Sequence, residues 1–303
     1  MTDLPEAGVR PPGVAGFFYP SEARRLAEVV AGFLAVSESG PAGQSVGGEY
    51  DPAAVPAVDP PVAIVAPHAG YDYSGAVAGR AYAALAGHGF DRAVVIAPSH
   101  LEAFSGATIF PGTAYRTPLG ECPIDTDLSS AIVAAAAGVV RPGLEGHWLA
   151  GSQRQEHALE VQLPFLQAVM GSDIPIVPIV LGESAWPVVE TLGRGIAAAV
   201  RESDGGSTIV VASTDLSHFH ADSRAEEIDA RTLDLVTAFD PQALMDGLRC
   251  GRGEACGGAP VATVMVAARE LGASRAAVLD YTHSGRVAGD SRSVVGYAAI
   301  RFD

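Results

Sequence analysis

The chain has 303 residues, 48% of them apolar, which gives room for one large α/β core or two smaller ones. Acidic residues outnumber basic ones 35 to 19, a formal net charge of −16; this speaks against nucleic acid and membrane surfaces as partners, because phosphate binding runs on Lys and Arg. All 19 basic residues are Arg and Asn is absent as well, so a Schiff-base lysine, a P-loop lysine and a Cys-His-Asn protease are excluded.

Residues 1–20 read as an extended arm with Pro11-Pro12-Gly13, and 21–36 as a helix capped by Ser21. Residues 37–60 are rich in Ser, Gly, Pro and Ala and read as a mobile surface loop. A strand at 62–66 leads to a helix near 74–87 and a strand at 92–97; short strands follow at 106–111 and 114–119. Helices fit 125–137 and 157–170, before a buried strand that ends at Leu181. A helix near 185–202 and a strand at 207–212 come next, then helices at 222–238, 240–249 and 259–272. Strands at 275–281 and 293–301 close the chain. This alternation predicts a single α/β domain over 1–303, with a mostly parallel central sheet and helices on both faces. No apolar window of about 18 residues is found, so no membrane span is expected. Met1–Glu6 has no basic region before an apolar run, so the cytoplasm is the expected location.

Three strand ends carry the chemistry. Val62-Ala63-Ile64-Val65-Ala66-Pro67 runs into His68, and Ala93-Val94-Val95-Ile96-Ala97-Pro98-Ser99 runs into His100. Proline ends the ladder in each, and in open α/β sheets the carboxyl ends of strands line the ligand crevice. The third run ends in Ser213-Thr214-Asp215-Leu216-Ser217-His218. Two imidazoles in one crevice point to a metal or acid–base site. His157 and Glu160, three apart, would share a helix face. Cys256 precedes a helix, where the dipole favours thiolate, as a metal ligand or a nucleophile needs. The three cysteines include no CxxC pair, which argues against a zinc ribbon. Tyr71 and Tyr73 follow His68 closely enough to line a pocket.

Together these motifs resemble the Memo family, also labelled in prokaryotes as AmmeMemoRadiSam system protein B. The likeness starts at Arg10 and Ala15-Gly16-Phe17-Phe18-Tyr19-Pro20. It continues through Ala66-Pro67-His68-Ala69-Gly70-Tyr71, Pro98-Ser99-His100, Tyr115-Arg116-Thr117-Pro118-Leu119-Gly120 and Glu156-His157-Ala158-Leu159-Glu160. Ser213-Thr214-Asp215-Leu216-Ser217-His218 and Cys256-Gly257 complete it. The resemblance implies a fold like that of class III extradiol dioxygenases, and a metal set of His68, His100 and Cys256. It implies His218 as the acid–base residue, Asp215 as its orienting partner or that of a ligand, and His157 beside them. Tyr71, Glu160 and Arg116 would then line the substrate pocket. Some members carry His where this chain has Gln162.

The function these expectations favour is a metal-dependent redox enzyme, dioxygenase-like, acting with O₂ on a small aromatic or enolic substrate. Two His and a thiolate suit Fe(II) or Cu, and Zn as well. One alternative is a non-catalytic metal- or (phospho)peptide-binding protein, since animal members of the family are known as adaptors for phosphotyrosine-bearing tails. Another is a zinc-dependent hydrolase. The family label also implies association with a radical-SAM protein.

Overall fold

The computed structural model describes residues 8–39, 59–183, 185–204 and 206–303. In chain order they form β1 (Val9–Arg10), α1 (Ala23–Ser39), β2 (Ala63–Ala66), α2 (Tyr71–Ala83), β3 (Arg92–Pro98) and β4 (Ala107–Ile109). Next come β5 (Ala114–Thr117), β6 (Gly120–Pro123), α3 (Thr126–Ala135), β7 (Val140–Pro142), a 3₁₀ turn (Glu160–Gln162) and α4 (Leu163–Met170). The rest is β8 (Ile176–Leu181), α5 (Trp186–Glu202), β9 (Thr208–Ser213), β10 (His218–His220), α6 (Asp222–Thr237), α7 (Pro241–Arg249), α8 (Gly258–Glu270), β11 (Ala276–His283), α9 (Ser284–Ala288) and β12 (Val294–Phe302).

The heart is four adjacent parallel strands in the order β2-β9-β3-β8. Their apolar runs alternate sides, as the period of two requires. Ala63, Val65, Val94, Ile96, Val210 and Ala212 face one core, shared with α3, α5 and α8. Ile64, Ala66, Ala93, Val95, Ile209 and Val211 face the other, shared with α1, α2 and α4. Helices therefore cover both faces, and the four strands are buried throughout except for Thr208.

This heart is the expected parallel central sheet; antiparallel strands flank it. β12 pairs antiparallel with β2, β10 and β11, and β4 pairs antiparallel with β8. The reason is chain economy: β11 and β12 are joined through the five-residue α9, too short for a parallel crossover. A second, three-stranded sheet, β1-β5-β6, ties part of the arm to the body, with Val9 opposite Ala114. The remainder of the expected loop, 40–58, and residues 1–7 of the arm lie outside the described residues.

The expected helix over 157–170 is α-helical only from Leu163, with Pro164 in its first turn, where a missing N–H costs nothing. The expected strand 114–119 stops at Thr117, and the chain returns as β6 through Gly120 at φ 136°. Among the described residues no helix is long and apolar enough to cross a membrane.

Candidate metal centre

Register brings the first and third strand ends together. Ala66 lies opposite Ser213 in the parallel β2–β9 pair, so His68 and Asp215 emerge side by side. The His68 amide donates to Asp215 Oδ1 at 2.8 Å, and the Thr214 amide to Ala66 O at 3.0 Å. Gly257 packs so closely that a Cβ there would lie 2.2 Å from Ser213 O, which fixes the approach of the Cys256 segment to the same point.

The ring of His68 is buried, and its tautomer follows from its neighbours. Ser213 Oγ has one hydrogen, donated to Ala158 O at 2.6 Å. It accepts from Gln162 Nε2 at 2.8 Å, an orientation set because that nitrogen also donates to Pro67 O while Gln162 Oε1 accepts from Tyr82 OH. The contact of 2.9 Å from His68 Nδ1 to Ser213 Oγ must therefore be an N–H donation. His68 Nε2 is left as an acceptor.

His100 is fixed the same way by Glu156. That carboxylate accepts from the His100 amide at 2.5 Å, from His100 Nδ1 at 3.0 Å, and from the amides of His157 and Ala158. His157 closes the group, its ring 4.9 Å from that of His100 and 5.4 Å from that of His68. Phe18, from the arm, covers His157 at 4.5 Å. One nitrogen from each of the three rings lies within 4.8 Å of the other two.

Cys256 joins at the edge. Its Sγ is 3.1 Å from His68 Nε2 and accepts from the Asp215 amide at 3.3 Å. Two ligands of one ion stand roughly 3.5 Å apart at metal bonds of about 2.0–2.3 Å, so this contact is compatible with both atoms sharing an ion.

The electrostatics favour the neutral form of His68 and His157 and the charged form of His100. Burial, reinforced by the other histidines, holds His68 well below its ordinary pKa. Burial takes His157 down to about 4, against the pull of Glu156. Burial also opposes charge on His100, but the Glu156 hydrogen bond and charge outweigh it and raise its pKa. Burial would raise Glu156, yet the hydrogen bond and charge of His100, with His157 and the Ala158 amide, bring it down to about 2. Asp215 is pushed up to about 7 by burial, against the amides of His68 and Ala69. The thiol of Cys256, expected to be lowered by its helix, is instead pushed up to about 12 by burial and by Asp215.

The donor set fits a divalent metal ion. Two imidazoles have Nδ1–H engaged by buried acceptors, the arrangement that orients metal-binding histidines. A third imidazole and a thiol flank them.

His218 stands at the mouth. Its Nδ1 donates to Leu216 O at 2.8 Å, leaving Nε2 as a base. With Leu216, Leu248, Glu254 and Cys256 it lines a cavity of about 340 Å³. The expected pocket residues lie elsewhere. Tyr71 is buried, its OH donating to Val161 O and its ring packed on Phe165. Glu160 is buried under the arm, where it holds Arg10, Gly13, Val14 and Tyr19. Arg116 is exposed on β5 and paired with Glu121. Sequence reading passed over Ser213 and Glu156 as orienting groups. The available signal was position: Ser213 is the first polar residue after an apolar strand, and Glu156 directly precedes His157.

A family profile described as Memo-like protein matches residues 10–301. A MEMO1 family protein of Methanopyrus kandleri is 36% identical over 97% of this chain and 98% of its own length. One from Ignicoccus hospitalis is 35% identical over 97% and 98%. Among solved structures, an uncharacterized protein from Escherichia coli K12 overlays with a TM-score of 0.48 at 16% identity, covering 80% of this chain and 99% of that one. The profile match over nearly the whole chain, with relatives above 30% identity along its length, establishes that this chain belongs to the Memo family.

Proposed function

We propose that this chain is a metal-dependent redox enzyme that uses O₂ on a small aromatic or enolic substrate. The observation that carries the reading is the convergence of His68, His100 and His157, with the Nδ1 atoms of His68 and His100 engaged by Ser213 and Glu156. His68 and His100 would bind through Nε2, with His157 and the Cys256 thiol as the further donors. A mixed nitrogen and sulfur set of this softness suits Fe(II) or Cu, which when bound supplies redox capacity and open coordination positions.

The chain's own residues would do the rest. Glu156 carries the negative charge that keeps His100 in its orientation and balances a bound cation. Asp215 pins the His68 backbone and accepts from its amide, so the ligand cannot swing away. His218, lining the cavity with Nδ1 bonded to Leu216 O, would take a proton from a substrate hydroxyl at Nε2 and return it after the bond change. Arg10, buried beneath the site, fixes the Glu156 carbonyl at 2.6 Å and so supports the segment that carries His157.

The test is O₂ uptake by anaerobically purified, metal-loaded protein across a panel of catecholic and enolic compounds, with His218→Ala alongside. Uptake in wild type, lost in the variant while metal is retained, supports the reading. A second reading rests on Cys256 beside His68 Nε2: the same donors suit zinc and a water for hydrolysis. Zinc as purified with no O₂ use would favour that one.

A further inference from the structure

Two non-glycine residues among those described adopt positive φ: Phe219 at 63° and Phe239 at 54°. A bulky side chain is strained there and needs something to hold it. For Phe239 the compensation is visible: its ring stacks on Phe302 at 5.3 Å and packs against the core. Phe219 has none. It is 75% exposed, and its ring meets the edge of His218 at 5.6 Å.

The backbone does require a left-handed residue at this position. Pairing of β10 with β12 slips between His218 and His220. That slip lets His218 line the cavity beside Cys256 while His220 reaches Glu254 at 3.0 Å. Glycine would supply the conformation without strain. Phenylalanine adds strain and leaves a large apolar ring in water, so folding gives no reason for it. The cavity beside Cys256 is lined by Leu216, His218, Leu248, Gly253, Glu254 and Ala255, with no phenyl or indole ring among them. An aromatic substrate reaching His218 would find its phenyl stacking partner in the next residue.

We propose that Phe219 is a substrate-contact residue whose exposed ring, held outward by its left-handed backbone, stacks on the planar aromatic part of the substrate at the mouth beside His218. The proposal rests on the function proposed above and names the residue that selects aromatic over aliphatic substrates. Backbone strain at a residue with no core packing motivates an external contact as its purpose.

The experiment uses two chelating probes, 4-nitrocatechol and acetohydroxamate, titrated anaerobically into the metal-loaded full-length chain. 4-Nitrocatechol is followed by its absorbance shift and acetohydroxamate by competition. Phe219→Ala and Phe219→Gly should weaken 4-nitrocatechol about tenfold, the size of one aromatic stack. Both should leave acetohydroxamate within about twofold, and Phe219→Tyr should restore wild-type affinity. Thermal melts supply an independent readout: Phe219→Gly should melt about 2 °C above Phe219→Ala, because only glycine relieves the backbone. Unchanged 4-nitrocatechol affinity in Phe219→Ala, or equal losses for both probes, overturns the proposal and leaves the enzyme reading standing. Phe219→Gly melting at or below Phe219→Ala overturns the strain on which it rests. Wild-type protein that binds neither probe overturns the enzyme reading together with the proposal. A ring that instead anchors a partner protein would show as loss of no probe at all.

Discussion

Glu160→Gln tests how the arm is fastened over the site. The Glu160 carboxylate has no solvent exposure and accepts from Arg10 Nη1 at 2.5 Å, Gly13 N at 2.8 Å, Val14 N at 3.0 Å and Tyr19 OH at 2.6 Å. Arg10 is equally buried and is held by His147 O and Glu156 O, so it cannot move out to water when its partner changes. Glutamine keeps the shape, removes the charge, and turns an amide NH₂ toward donors. Breaking a buried ion pair from one side costs about 3–5 kcal/mol, because the remaining charge is left uncompensated. An unfolding entropy of about 0.6 kcal/mol/K for a chain of this length converts this to a fall in Tm of about 5–8 °C. Differential scanning calorimetry on wild type, Glu160→Gln and Glu121→Gln is the assay. Glu121 pairs with Arg116 at 2.6 Å on the surface, both about half exposed, so its loss should move Tm by no more than about 1 °C. A Glu160→Gln protein that melts within about 1 °C of wild type, or a Glu121→Gln protein that falls as far, refutes the reasoning.

Ser213→Ala removes the hub that fixes the His68 tautomer; metal affinity, read by chelator competition, should fall about 10–100-fold. Gly296→Ala would place a Cβ 1.9 Å from Asp229 Oδ2, the carboxylate that also accepts from the Ser217 amide next to His218. It should cost about 1–3 kcal/mol in Tm measurements, and O₂ uptake should drop with it. Glu156 gives a pH signature. Its folded pKa of about 2 lies below the ordinary 4.5, so its stabilisation is full above that ordinary value and fades as pH falls toward 2. The difference is worth about 3 kcal/mol, so the Tm gap between wild type and Glu156→Gln should be widest near neutral pH and close near pH 2. A gap that widens on acidification would contradict this sign.

The strand ends were the legible part. Short β-branched apolar runs, two of them closed by Ala-Pro, read as buried strands, and β2, β3 and β9 fall within a residue or two of where the sequence puts them. Parallel pairing then brings His68, His100 and Asp215 to one edge, as the strand-end argument anticipates. Roles that depend on contacts distant in sequence were not legible. Glu160 reads as the partner of His157 on a helix face, yet a 3₁₀ turn replaces that helix and its carboxylate points 150 residues back to Arg10. Tyr71 follows a site histidine, yet α2 begins there and turns its ring into the core. The short strands β6, β7 and β10 carry too few residues for any periodicity to register. The rise in the Cys256 pKa reflects burial against Asp215, which outweighs the helix terminus that local sequence displays.

The central claim is that His68, His100 and their neighbours hold one metal ion. Elemental analysis of anaerobically purified wild type, His68→Ala, His157→Ala and Cys256→Ala tests it most directly. Wild type should hold about one equivalent of Fe or Cu, lost in His68→Ala, with the other two variants dividing the remaining ligand duty between nitrogen and sulfur. Wild-type protein that holds no metal, even after anaerobic reconstitution, or a His68→Ala protein that keeps its full equivalent, would contradict it.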